Sequence, residues 1–61
     1  MRYVGFFTIS NPYGGRDKLR LEFPSIEKAM DAVSNYRNSH PVDCVYGELR
    51  DRLTGRVISI G

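Results

Sequence analysis

Cysteine is almost missing from this chain: Cys44 stands alone among 61 residues, so no intrachain disulfide can form. Histidine is equally scarce, with only His40, and a Cys/His zinc site cannot be completed within one chain. No stretch approaches the roughly 20 apolar residues that a membrane-spanning helix requires. Met1-Arg2-Tyr3 leads straight into an alternating segment, not into an apolar signal region with a small-residue cleavage site. An unpaired thiol suits a reducing compartment. The expectation is a cytoplasmic chain with no membrane segment, no metal and no cofactor.

Length is also in short supply. A chain of 61 residues has room for one core, so residues 1–61 are read as a single domain. Surface scaling at this mass leaves roughly 4,000 Å² exposed out of roughly 10,000 Å² in the unfolded chain, the marginal end for independent folding. Domains this small usually need a staple. With disulfide and zinc excluded, association remains, either as a homo-oligomer or as a chain docked on something larger.

The charge balance is mild, at +2 with a pI near 9.0, and falls short of the strongly basic composition of a dedicated nucleic-acid protein. Its distribution says more than its sum. Residues 16–20 (RDKLR) and 50–56 (RDRLTGR) hold six of the nine cations and two of the seven acids.

Residues 2–10 (RYVGFFTIS) are rich in aromatic and β-branched types and read as a strand. Asn11-Pro12-Tyr13-Gly14-Gly15 concentrates turn formers, and Pro12 cannot continue a ladder. Residues 18–23 (KLRLEF) alternate cleanly, with Leu19, Leu21 and Phe23 on one face. Ser25 is a suitable N-cap, and Glu27 sits where the helix dipole favours a negative charge. Ile26, Ala29, Met30, Val33 and Tyr36 then recur at helical spacing, which predicts an amphipathic helix of about three turns that stops before Pro41. Residues 43–50 (DCVYGELR) alternate as a strand, residues 51–55 form a hairpin loop with Gly55 left-handed, and residues 57–60 make a short last strand.

The fold class expected is therefore α+β: a single ββαββ domain with a four-stranded antiparallel sheet in order 2-1-3-4. The crossover is right-handed and the one helix covers one face of the sheet. Strand 2 sets the phase. Tyr3, Gly5, Phe7, Ile9, Val45, Gly47, Leu49, Ile58 and Ile60 join Leu19, Leu21 and Phe23 beneath the helix, and Gly5 and Gly47 make room for Met30 and Tyr36. The opposite face collects Arg2, Val4, Phe6, Thr8, Lys18, Arg20, Glu22, Cys44, Tyr46, Glu48, Arg50, Val57 and Ser59. Val4, Phe6, Tyr46 and Val57 would form a central apolar patch too large to leave exposed without a purpose. The candidate partner-binding residues are Val4, Phe6, Lys18, Arg20, Tyr46, Arg50 and Val57.

The catalytic readings are weak. His40 closes the helix and Cys44 already belongs to a strand beyond Pro41, so they read as a favourable C-terminal histidine and a small packed thiol. Gly14-Gly15-Arg16-Asp17-Lys18 matches neither phosphate-binding glycine pattern, and no helix N-terminus follows it. No paired carboxylates and no nucleophile with a base stand ready for acid–base or covalent chemistry. A mixed aromatic and basic sheet face suits two kinds of partner. Nucleic-acid sheets stack bases on aromatics, but Glu22 and Glu48 interrupt this one. A protein interface wants aromatic and arginine anchors with a polar rim, which fits better.

No family motif is present. In general look, a tiny ββαββ chain without catalytic groups is similar to the accessory proteins of phages and mobile elements. That resemblance of class implies an inhibitor or adaptor that docks on a host enzyme or defence complex. The reading that results is a non-enzymatic protein-binding module working through its helix-free sheet face, compatible with a homodimer through the same face. Nucleic-acid binding by that face is the alternative.

Overall fold

The computed structural model describes all 61 residues. Strand β1 (Tyr3–Ser10) turns into β2 (Arg16–Phe23), helix α1 (Ile26–Ser39) follows, and β3 (Cys44–Asp51) and β4 (Val57–Ile60) complete the chain. The sheet has the order β2-β1-β3-β4, and every neighbouring pair is antiparallel. The expected ββαββ architecture is thus the one observed.

Local chemistry explains the boundaries. The Asn11 side-chain oxygen accepts from the amides of Tyr13 and Gly15 at 2.9 Å each, so the turn is stapled by its first residue and β2 begins two residues earlier than its apolar alternation suggests. Ser25 caps the helix, its hydroxyl accepting from the Lys28 amide at 3.1 Å. The helix runs 14 residues, about four turns, before His40 closes it with its amide on the Tyr36 carbonyl.

The core lies between the sheet and α1. Tyr3, Phe7, Phe23, Ala29, Val33, Val45, Leu49 and Ile60 are buried together, with Phe7 and Phe23 packed edge to face at 6.3 Å. The helix touches the sheet along Ala29, Val33 and Tyr36, while Ile26 and Met30 stay partly exposed. This corrects the expected reason for the two strand glycines. A side chain at Gly5 would run into the Phe7 ring and crowd Phe23. Gly47, at φ 155°, has no room because a Cβ would strike the Phe6 carbonyl of the neighbouring strand. The approaching groups belong to the sheet, not to Met30 and Tyr36 of the helix.

One helix covers only part of a four-stranded sheet. It comes closest to β3 and to β2, where it covers Phe23 and leaves Leu19 and Leu21 half bare, with Leu21 at 43% exposure against 0% for Leu49. An apolar groove of about 100 Å³ remains between α1 and β2, lined by Leu19, Leu21, Phe23, Ala32 and Tyr36 above Phe7, Ile9, Val33 and Val45. The exposed surface, 4371 Å², is slightly above the scaling value of roughly 4,000 Å² for this mass, as an incompletely covered sheet requires.

Candidate functional site

The strand registers place the predicted face residues together. Phe6 lies between Arg20 and Glu48, Thr8 between Lys18 and Tyr46, and Val4 between Glu22 and Arg50. Val57 pairs with Arg50 on the far side. Phe6, Lys18, Arg20, Tyr46, Arg50 and Val57 therefore share the helix-free face with Val4, as alternation along the strands dictates.

Exposure divides this set. Phe6 and Tyr46 are open to solvent at 37% and 44%, and Val57 is half exposed, but Val4 is only 6% exposed and offers nothing to a partner. The charged side chains around it explain why. Glu22 gathers Arg52 at 2.6 Å, Arg20 at 3.7 Å and the N-terminal ammonium at 3.7 Å, a cluster on the strand position beside Val4. Alternation put Val4 on the right face without revealing that charged neighbours would roof it. The exposed apolar surface is not one patch either. Arg50 bonds Glu48 at 2.9 Å and lies 5.0 Å over the Phe6 ring, so it separates Phe6 from Val57. What results is a mosaic of two half-open aromatics among cations.

The charges on this face are lopsided. Arg16, Lys18, Arg20, Arg50 and Arg52 stand against Glu22 and Glu48, three cations in excess. Elsewhere Arg2, Lys28, Arg37 and Arg56 are outnumbered by Asp17, Glu27, Asp31, Asp43 and Asp51. The whole positive surplus of the chain resides on the open face.

Arg2, expected on that face, turns instead to the end of the sheet. It holds Asp51 through two parallel hydrogen bonds, Nε to Oδ1 at 3.0 Å and Nη2 to Oδ2 at 2.8 Å. The Leu53 amide also donates to Asp51, and the Arg52 amide donates to the Arg2 carbonyl. Arg2 holds the Asp51 carboxyl well below the usual carboxylate range, against the opposing effect of burial. Asp51, expected in the loop, is a buried residue at the end of β3 that ties both chain halves together. At the other end, burial raises the Tyr36 hydroxyl above its ordinary pKa, helped by its hydrogen bond to Asp43 at 3.1 Å. Asp51, Tyr36 and Arg2, the last raised by its hydrogen bond to Asp51, all have partners within the fold, and none reaches over the open face.

His40 stacks on Tyr36 with ring centroids 4.2 Å apart, while Cys44 is exposed at the start of β3. No three His, Cys, Asp or Glu side chains come together in a metal-binding cluster. No helix is long and apolar enough to cross a membrane. No protein-family model matches the chain, and no curated protein or solved structure is similar enough to inform its function.

Proposed function

We propose that the chain is a non-enzymatic binding module, an inhibitor or adaptor, whose helix-free sheet face docks on an acidic surface of another protein. One observation carries this reading: the half-open rings of Phe6 and Tyr46 sit within a face that has three cations in excess. Aromatic anchors bordered by arginines are the composition that stable protein interfaces favour. The cations steer an acidic partner towards the face and discriminate against basic ones. Two copies stacked face to face would oppose like charges, so the face favours an unlike partner over itself. Its working environment is read as cytoplasmic, where the exposed Cys44 thiol stays reduced.

The excess of cations also keeps nucleic acid as a second reading, with Phe6 and Tyr46 as stacking platforms. The position of Arg50 favours protein, because the guanidinium already occupies one face of the Phe6 ring.

The two readings part in one experiment. The parent and the Phe6→Ala/Tyr46→Ala variant are immobilised and exposed to lysate of the source cells, with Leu19→Ala as a control on the other face. A protein retained by the parent and the control but lost by the double variant, and released by salt, supports the proposal. Equal capture by all three sinks it. Titration with single-stranded oligonucleotides completes the test: affinity falling steeply with salt transfers the face to nucleic acid.

A further inference from the structure

We infer that the free edge of β2 is a self-association site, at which a second copy of this chain adds its own β2 antiparallel to the first. The inference goes beyond the binding role of the open face and does not depend on it.

The two edges of the sheet differ. β4 offers four residues, whereas β2 is an eight-residue strand paired on one side only, in unbroken register with β1 from Arg16 to Phe23. It contains neither a bulge nor a proline, and its edge-blunting charges, Lys18 and the helix-side Asp17, lie at the end away from the Leu19–Phe23 stretch. Its helix-side residues Leu19 and Leu21 are 40% and 43% exposed, beside the apolar groove that α1 leaves open. A row of unpaired backbone groups next to uncovered leucines is a template for another strand.

The sequence of β2 selects the occupant. Keeping the leucines of both copies on the helix side restricts the register to shifts of two residues. Centred on Leu21, antiparallel pairing sets Leu21 against its own counterpart. Leu19 then faces Phe23 twice, and Arg20 faces Glu22 twice on the open side. Every cross-strand pair between Leu19 and Phe23 is apolar with apolar or cation with carboxylate, and Lys18 falls beyond the paired strands opposite Pro24. Centred on Arg20, the strands would oppose Arg20 to Arg20 and Asp17 to Phe23; centred on Leu19, they would oppose Lys18 to Arg20. A single register is thus self-complementary, and it carries a two-fold axis. The pair joins two sheets into one of eight strands, with both helices on one side and both open faces on the other. Its remaining edges are the two short β4 strands, so assembly stops at two.

The alternative stack, with the helix of one copy seated in the groove of the other, is disfavoured by the outer surface of α1. That surface carries Glu27, Asp31, Ser34 and Asn38, and its only large apolar side chains open to solvent are the partly exposed Ile26 and Met30 in the first two turns.

Sedimentation equilibrium over rising protein concentration at low salt tests the proposal. The parent is expected to pass from the mass of one chain to that of two and no further. Glu22→Arg and Arg20→Glu, each checked for folding by circular dichroism, are expected to stay at one chain, because each sets like charges opposite each other twice. Mixed in equal amounts, the two monomeric variants are expected to form a two-chain species, since every opposed pair is then complementary. The Arg20→Glu/Glu22→Arg double variant restores the homodimer for the same reason. Phe6→Ala/Tyr46→Ala should dimerise like the parent, which keeps this site distinct from the open face. The proposal is overturned by a parent that stays monomeric throughout, by growth beyond two chains, or by single variants that dimerise unchanged. It is equally overturned if the mixed variants fail to pair.

Discussion

Leu21 and Leu49 occupy equivalent places on either side of Gly5, one on β2 and one on β3, both directed at the helix. Leu49 is sealed completely, whereas Leu21 keeps 43% of its surface in contact with solvent. The residues are the same and share one glycine partner, but Leu49 has Ile58 of β4 on its other side, whereas Leu21 lies on the edge strand. The single helix does not make up for the missing neighbour there. The molecule is therefore two regions of unequal quality: a closed core under α1, which takes in Phe23 at the end of β2, and an open apolar margin at Leu19 and Leu21.

The comparison is broken most directly by truncating each leucine in turn. Leu49→Ala should cost about 4 kcal/mol, as fully buried leucines do, in a domain holding about 3–5 kcal/mol in all. The variant should be largely unfolded in urea titrations at room temperature. Leu21→Ala, with little more than half its side chain removed from water, should cost about 1 kcal/mol. Equal costs at the two sites would mean that the β2 margin is covered in solution.

Gly47 sharpens the same contrast from the backbone side. Gly47→Ala forces a Cβ against the Phe6 carbonyl in a conformation that side chains rarely adopt, and should cost about 2 kcal/mol. Urea unfolding measures it. A neutral substitution would show that β1 and β3 can spread, and that the closed half is less rigid than its packing indicates.

The Arg2–Asp51 pair closes the sheet at the end nearest Tyr3, and its effect is read through pH. Because Asp51 titrates lower in the folded chain than in the unfolded one, whose carboxyl titrates at about 4, the pair stabilises fully above that value, and the effect declines steadily below it until pH passes the lowered folded value. The urea midpoint of the parent should drop between pH 5 and pH 2 by more than that of Asp51→Asn, which has no carboxylate to protonate. Parallel curves would remove the pair from the account.

The smallest expected change in stability comes from the face without a helix. Phe6→Ala and Tyr46→Ala should each shift stability by no more than about 0.5 kcal/mol, with the far-ultraviolet circular dichroism spectrum unchanged. Unfolding of the double variant, with Phe7→Ala tolerated, would reverse the phase of β1.

Much of this architecture was legible in the residues. The alternation of Leu19, Leu21 and Phe23 set the phase of β2, and Pro12, Ser25, Pro41 and Gly55 marked the breaks between elements. The strand order followed from the need to return the chain across the sheet. The candidate site was legible only as a list of residues sharing a face. Alternation reports the side on which a residue lies and is silent on how far its neighbours reach over it, so Val4 was expected to be open and is covered.

By itself, the sequence determined the elements, their order and the two sides of the sheet, because these depend on local periodicity and on where a chain can turn. Only the tertiary structure decided that Arg2 meets Asp51, 49 residues away, and that Glu22 draws three cations into one cluster. Only the tertiary structure, too, covered Phe23 of β2 with the helix and left Leu19 and Leu21 of the same strand exposed. Those outcomes depend on reach and coverage in three dimensions, on how far a side chain extends and how much sheet one helix can span, and no pattern along the chain encodes either quantity.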